Sequence, residues 1–353
     1  MNVLSLFDGM SCGQIALNRI GIKPDKYFAS EIDKYAIKIT QKNYPDTIQI
    51  GDVTKVSFKD SVLYTENGNF EVGEIDLLMG GSPCQGFSFA GKQLNFEDER
   101  SKLFFEFVRI LKECNPTYFL LENVKMKKEY QDVISEYLNV EPILINSALV
   151  SAQNRKRLYW TNIKNVNQPI DKHIYLKDIL INNDFVIDQD NSNKILIRRR
   201  GHGYLPTKNV YVDKINALVT SNYEYFIIKE DYKDLFRIEP SMEKSRRQLI
   251  QDCNNTFNRS IEECDGYKSS QPIYINSKKF PALRANAGSV TRGIAIYNDS
   301  NKWRKLSVIE CERLQTVPDN YTEGVSNTQR YKMLGNGWTV DVICHILKNM
   351  VIL

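Results

Sequence analysis

The hydrophobic and polar positions in the first half of the chain repeat one order: a short apolar run, a turn rich in glycine or acid, then a segment with helical spacing. Val3 to Phe7 is the first such run, and Asp8-Gly9-Met10-Ser11-Cys12-Gly13 follows it. From Gln14 to Ile20, the apolar residues Ile15, Ala16, Leu17 and Ile20 predict a helix. Tyr27 to Ile32 and Ile48 to Val53 are further strand-like runs. Ile75 to Met79 reads as a buried parallel strand, since it is short, apolar and bounded by turn formers. Phe104 to Leu111 is amphipathic, Thr117 to Leu121 is again continuously apolar, and Pro142 to Val150 predicts one more strand. Apolar strands alternating with helical segments predict an α/β fold with a doubly wound, mostly parallel sheet.

This rhythm fades from residue 166 to about residue 300. Asn, Asp, Lys and Tyr dominate there, with short β-like runs at Tyr211-Val212, Tyr225 to Ile228 and Ile294 to Ile296. Lys214 to Val219 and Lys279 to Arg284 echo each other, as in a small β-rich domain. Leu306 to Leu314 regains helical spacing, and Val340 to Ile352 fits a closing helix on the sheet. The expected organisation is a discontinuous α/β domain, 1–165 plus 325–353, interrupted by a smaller β-rich domain, 166–324.

Composition narrows the functional class. With 353 residues, 42% hydrophobic and 25% charged, the chain can build a core. No apolar run approaches the ~20 residues of a membrane span, and no signal peptide is expected. Seven cysteines without a Cys-x-x-Cys pair point to reduced thiols in the cytoplasm, and three scattered histidines argue against a metal site. A formal charge of +4 permits nucleic-acid binding without establishing it.

Several strand ends carry groups suited to ligands. The first glycine loop leads into a helix N-terminus, where backbone N–H groups can meet an acceptor. Its glycines fall as Gly9-x-x-x-Gly13, which disfavours a nicotinamide dinucleotide and leaves a nucleoside cofactor open. Glu31 ends the second strand about 20 residues after the loop, where one carboxylate can accept from both ribose hydroxyls. A solvated surface acid has the same local pattern. Asp52 ends the third strand, suited to accept from an exocyclic amine. Gly80-Gly81-Ser82-Pro83 then presents Cys84 beyond a strand end, although a buried structural cysteine is the commoner fate of a lone thiol. Glu122 follows Thr117 to Leu121, so a thiol and an acid would share one sheet edge, as a nucleophile and a proton donor do. Helix capping is the other reading of Glu122. Arg155 and Arg157 alternate and share a face, either to clamp an anion or orient a carboxylate, or as a solvated basic patch. In the middle region, Ile197-Arg198-Arg199-Arg200-Gly201-His202-Gly203 could meet phosphates or guanine edges, or be a solvated charge run.

In this order, the motifs resemble those of the DNA cytosine 5-methyltransferases. The resemblance rests on Phe7-Asp8-Gly9-x-x-x-Gly13, Glu31, Gly51-Asp52-Val53, Gly81-Ser82-Pro83-Cys84-Gln85-Gly86-Phe87-Ser88, Glu122-Asn123-Val124 and Gln153-x-Arg155-x-Arg157. It continues through Arg304-Lys305-Leu306-Ser307, Glu310-Cys311-x-Arg313-Leu314-Gln315 and Gly335-Asn336. It implies a Rossmann-like S-adenosylmethionine domain and a variable target-recognition domain. Cys84 would be the covalent nucleophile, Glu122 the acid at the cytosine ring, and Arg155 and Arg157 their catalytic support. Phe7, Gly9, Gly13, Glu31, Ile32, Asp52, Val53, Pro83, Asn336 and Val340 would form the S-adenosylmethionine pocket. Gln85, Ser88, Arg198 and Arg200 would meet double-stranded DNA, with the target base flipped out.

The chain departs from the family pattern in two places. Asp8 and Ser11-Cys12 stand where many members carry Ala-Gly and a further glycine. Gly337-Trp338-Thr339-Val340 follows Asn336 where Asn-Ser-Val is more usual, and Trp338 is expected to reshape the methionine end of the pocket. The resemblance further implies a monomer, with a separately encoded restriction endonuclease as a candidate partner. An RNA cytosine-5 methyltransferase of the same family is the enzymatic alternative. A non-catalytic DNA-binding protein is the alternative from another class, and it would require loss of Cys84, Glu122 or Arg157.

Overall fold

The apolar runs of the first half become the strands of one sheet. The computed structural model describes residues 1–82, 99–181, 194–198, 225–229, 279–281, 283, 295–297 and 303–351. Strands β1 (Asn2–Leu6), β2 (Lys26–Ser30) and β3 (Ile48–Gln49) alternate with helices α1 (Cys12–Arg19) and α2 (Lys34–Asn43). A small antiparallel sheet follows, formed by β4 (Ser57–Lys59), β5 (Val62–Thr65) and β6 (Gly68–Glu71). The main sheet resumes with β7 (Leu77–Gly80), α3 (Glu99–Cys114), β8 (Tyr118–Val124), α4 (Lys128–Leu138) and β9 (Ile143–Asn146). The short β10 (Gln153–Asn154) precedes β11 (Lys156–Thr161) and α5 (Leu176–Ile179).

The seven strands of the main sheet run in the order β3-β2-β1-β7-β8-β11-β9. All pairs from β3 to β8 are parallel, while β11 lies antiparallel between β8 and β9. This is the doubly wound, mostly parallel sheet expected from the alternation. The strand centres are buried on both faces: Leu4, Leu6, Phe28, Leu78 and Leu121 on one, and Val3, Ala29, Leu77, Met79 and Leu120 on the other, are wholly buried. Each of these side chains larger than alanine contributes about 2 kcal/mol through the apolar surface removed from water.

Contacts divide the chain into two units. The first comprises Met1–Ile179, Lys278–Gly288 and Ser307–Leu353; the second comprises Leu180–Ser277 and Ser289–Leu306. The first unit therefore extends beyond 1–165 plus 325–353, and 166–179, 278–288 and 307–324 leave the expected middle domain. Pairing accounts for 278–288: β14 (Phe280–Pro281) lies parallel to β10. Helices α6 (Val308–Leu314), α7 (Asn327–Asn336) and α8 (Val340–Leu347) complete this unit, and α8 packs on α1. Ser307 and Glu310 form a capping box at the start of α6, which satisfies backbone donors the first turn would leave open.

In the second unit, the described residues form two antiparallel pairs. They are β12 (Lys194–Arg198) with β13 (Tyr225–Lys229), and β15 (Ala295–Tyr297) with β16 (Trp303–Lys305). Tyr225 to Ile228 and Ala295-Ile296 are strands as expected, and Ile294 lies outside the described residues. Tyr211-Val212 and the Lys214 to Val219 segment lie outside the described residues. Among the described residues, no helix is long and apolar enough to cross a membrane.

Candidate active site

The first part of the site is the turn between β1 and α1. Phe7, Gly9 and Ser11 all have positive φ, at 56°, 59° and 59°, a conformation that costs non-glycine residues energy and persists where surrounding bonds over-determine it. Those bonds are present. Gly9 N donates to Glu31 Oε2 at 2.7 Å, while Glu31 Oε1 accepts from Ile32 N and Asp33 N at 2.8 Å each. Asp8 accepts from Tyr27 Oη at 2.7 Å and from the Ser11 hydroxyl. Gly13 lets α1 settle on the sheet, since a Cβ there would stand 2.6 Å from Met79 Cε and 3.0 Å from Tyr27 Oη. Cys12 is buried next to the turn, and desolvation pushes its thiol up to about 12, so it packs as a small protonated residue.

Burial pushes the Asp8 carboxyl up from 3.8 to about 6, against the lowering influence of Ser11, Ser5 and Tyr27. A raised carboxyl favours the folded state while protonated, and that advantage is lost as pH rises from the unfolded value through the folded one. Asp8→Asn removes this titration. The melting temperature of the variant minus that of the unaltered chain should therefore climb between pH 4 and about pH 6 and then level off. Thermal melts across pH 4 to 8 test this, and a difference independent of pH would refute it.

The second part lies where β7, β8 and β11 meet. In the β8–β11 register, Glu122 faces Tyr159 and Val124 faces Arg157. Glu122 and Arg157 are therefore diagonal neighbours on one face, within reach of each other across the strands. Arg157 Nε stands 3.0 Å from Glu122 Oε1, with the two side chains 16% and 11% exposed. Gly81 packs against the same carboxylate: a Cβ there would lie 2.9 Å from Trp338 Nε1 and 3.3 Å from Glu122 Oε2. Asn123 Nδ2 donates to Ser82 Oγ at 3.4 Å. The residues that lead into Pro83-Cys84 thus sit beside the Glu122–Arg157 pair. Pro83, Cys84, Gln85 and Ser88 themselves lie outside the described residues.

Arg155 departs from the expected face-sharing with Arg157. Its guanidinium is 3% exposed and donates to three carbonyls: Leu283 O at 3.1 Å, Gly335 O at 3.3 Å and Gly337 O at 3.0 Å. Burial, reinforced by Arg157, lowers it to about 10. The segment between β10 and β11 turns Arg155 toward the chain end, so it clamps the Gly335 to Gly337 stretch while Arg157 meets Glu122.

A buried polar hub continues this clamp. Gln315 donates to Leu334 O at 2.6 Å and Gly337 O at 3.2 Å, and its Oε1 accepts from Gln153 and Thr339. Gln153 Oε1 accepts from Leu283 N at 2.8 Å. Burial without partners would be costly for these amides, and here each has them. Gln315 and Thr339 have no expected role from sequence; the signal that marks Gln315 is a neutral amide closing an apolar helix.

The remaining predicted residues fall as follows. Ile32 is 76% exposed at the end of β2, an apolar surface beside Glu31. Asp52 caps a single turn, Val53–Lys55, by accepting from Thr54 N at 2.9 Å, and Val53 is buried. Phe7 packs against the core edge. Asn336 is exposed at the end of α7. Val340 is wholly buried at the start of α8, so the structure gives it a packing role and not an accessible pocket surface. Arg198 ends β12, and Arg200 lies outside the described residues.

A family model described as C-5 cytosine-specific DNA methylase matches residues 1–351. The chain belongs to this family. It is similar to the orphan methyltransferase M.SPRI of Bacillus phage SPR, 28% identical over 444 residues that cover 99% of this chain and 97% of that protein. It is also similar to the type II methyltransferase M.HhaI of Haemophilus parahaemolyticus, 26% identical over 369 residues, covering 99% and 94%. In fold it matches the Entamoeba histolytica methyltransferase EhMeth, with a TM-score of 0.61, 16% identity and coverage of 99% and 97%. The chain is accordingly an enzyme of DNA methylation, acting on carbon 5 of cytosine.

Proposed function

We propose that this chain methylates cytosine within a specific short site of double-stranded DNA, with S-adenosylmethionine as donor and Cys84 as covalent nucleophile. The observation that supports this most is the Glu122–Arg157 pair, largely buried and 3.0 Å apart, beside the two residues that lead into Pro83-Cys84. Carbon 5 of cytosine is a weak nucleophile, so the ring must be activated. The Cys84 thiolate adds to carbon 6, and Glu122 holds or delivers a proton at ring nitrogen 3, which stabilises the charge that develops. Arg157 keeps that carboxyl in place. Carbon 5 then takes the methyl group, and loss of its proton restores the double bond and expels the sulfur.

The residues around the glycine loop fit S-adenosylmethionine. Glu31 already accepts the loop N–H and has lone pairs left for ribose hydroxyls, and exposed Ile32 offers an apolar face to a purine. Asp52 suits the adenine amine, and Pro83, Trp338 and Asn336 would border the methionine end. When bound, S-adenosylmethionine supplies an electrophilic methyl group. The target base is inaccessible within a duplex, so it must be flipped into the site. Gln85 and Ser88 are assigned to the DNA around it, and the second unit, with Arg198 and Arg200, to recognition of the site. The reading is of a monomer working in the cytoplasm, with a separately encoded restriction endonuclease as its candidate partner.

Expression in a methylation-free bacterial host, with 5-methylcytosine mapped at base resolution, tests the proposal. Methylation at one recurring short site is the expected result. Unmethylated DNA from cells holding well-folded protein would overturn it.

A further inference from the structure

The small sheet β4-β5-β6 reaches the proposed adenine subsite. Its turn, Thr65 to Gly68, folds over the carboxyl end of β3. Glu66 Oε1 accepts from Asp52 N at 2.8 Å, and Asn67 Nδ2 donates to Gln49 O at 3.0 Å. The Glu66 side chain lies so close over Gly51 that a Cβ there would stand 2.1 Å from its Oε1, and Gly51 itself has a φ of 77°. Both facts require glycine immediately before Asp52.

This turn is anchored from below. Leu63 of β5 is wholly buried, and Phe70 of β6 packs on Phe28 of β2 with ring centroids 5.6 Å apart. Phe58 N of β4 donates to Glu113 Oε2 at 2.9 Å, and Arg109 Nη2 of α3 donates to Val56 O at 2.7 Å. Within the turn, Thr65 Oγ1 donates to Gly68 O at 2.8 Å and accepts from Asn67 N at 3.2 Å. Lys55 Nζ, 2.6 Å from Glu66 Oε2, holds the carboxylate from its other side, and its hydrogen bond together with that of Asp52 N keeps the carboxyl below its usual range. Asp52 spends Oδ1 on Thr54 N, so Oδ2 is the oxygen left, among the described residues, to accept from an amine.

We infer that Glu66 is a positioning residue for the adenine subsite: by accepting the Asp52 N–H from a turn fixed to the core, it sets the direction in which Asp52 presents its carboxylate. Glu66 does not touch the reacting atoms. This inference rests on the reading of Asp52 as the partner of the adenine amine.

The test is calorimetric binding of S-adenosylhomocysteine to the full chain without DNA, alongside steady-state kinetics and thermal melts of each variant. Glu66→Ala removes the acceptor of the Asp52 N–H. It should raise the Kd for S-adenosylhomocysteine and the KM for S-adenosylmethionine about five- to tenfold, with kcat at saturation within about twofold. Glu66→Gln keeps an acceptor oxygen and should stay within about twofold of the unaltered chain in all three. A folded Glu66→Ala protein that binds S-adenosylhomocysteine as the unaltered chain does would overturn the inference, as would a loss confined to kcat. Failure of the unaltered chain to bind S-adenosylhomocysteine would instead overturn the cofactor reading itself, and this inference with it.

Discussion

Cys84→Ala is expected to abolish methyl transfer, by on the order of 10⁴-fold or more, with DNA binding largely kept. The size of the effect follows from covalent catalysis: without a nucleophile added at carbon 6, carbon 5 is too weakly nucleophilic to attack the methyl group at a useful rate. Neither the electrostatic support of Glu122 nor binding of the base can replace that bond. Release of the sulfur requires a proton on carbon 5, so a duplex carrying 5-fluorocytosine at the target should trap the unaltered enzyme in an adduct that survives denaturing electrophoresis. Cys84→Ala should form none. Full activity in the alanine variant, or an adduct formed without Cys84, would remove the thiol from the mechanism.

The second large effect is expected at the Glu122–Arg157 pair. The side chains are 11% and 16% exposed and 3.0 Å apart, so each compensates a charge that the other would otherwise leave largely desolvated. Glu122→Gln preserves shape but cannot deliver a proton, and its kcat should fall about 10²- to 10³-fold while S-adenosylhomocysteine still binds. Arg157→Ala leaves the carboxylate uncompensated, so a similar loss of kcat should come with a melting temperature lower by several degrees. If the two act as a unit, the double variant should be little worse than either alone in single-turnover rate. Losses that multiply would show that Arg157 works independently of Glu122.

The local pattern of the chain carried much of the architecture. Short apolar runs separated by turn formers predict buried strands because a strand covered on both faces needs apolar residues throughout. Val3 to Leu6, Tyr27 to Ala29 and Tyr118 to Leu121 come close to that requirement and lie in the main sheet, whereas the expected Tyr27 to Ile32 run extends past β2 to the exposed Ile32. The β4-β5-β6 sheet is not legible in this way, because its strands are short and, Leu63 apart, exposed or half-buried; the charged surfaces of α2 and α4 likewise hide their apolar stripes. The glycine loop and the acids after the strands were legible because loop, strand end and helix start follow one another in the chain.

What the sequence by itself determined is the alternation of strands and helices and the residue types available at each strand end, since both are set by neighbours a few positions apart. Tertiary structure decided which of those residues meet. Arg155 and Arg157 are two positions apart, yet one holds Gly337, 182 residues away, and the other holds Glu122. Glu66 reaches Asp52 through a turn anchored on Phe28, and Gln315 draws Gln153, Thr339 and Gly337 into one hub. The physical reason is the same in each case. A buried polar group must find a partner, and which partner it finds depends on the packing of distant segments and not on its position in the chain.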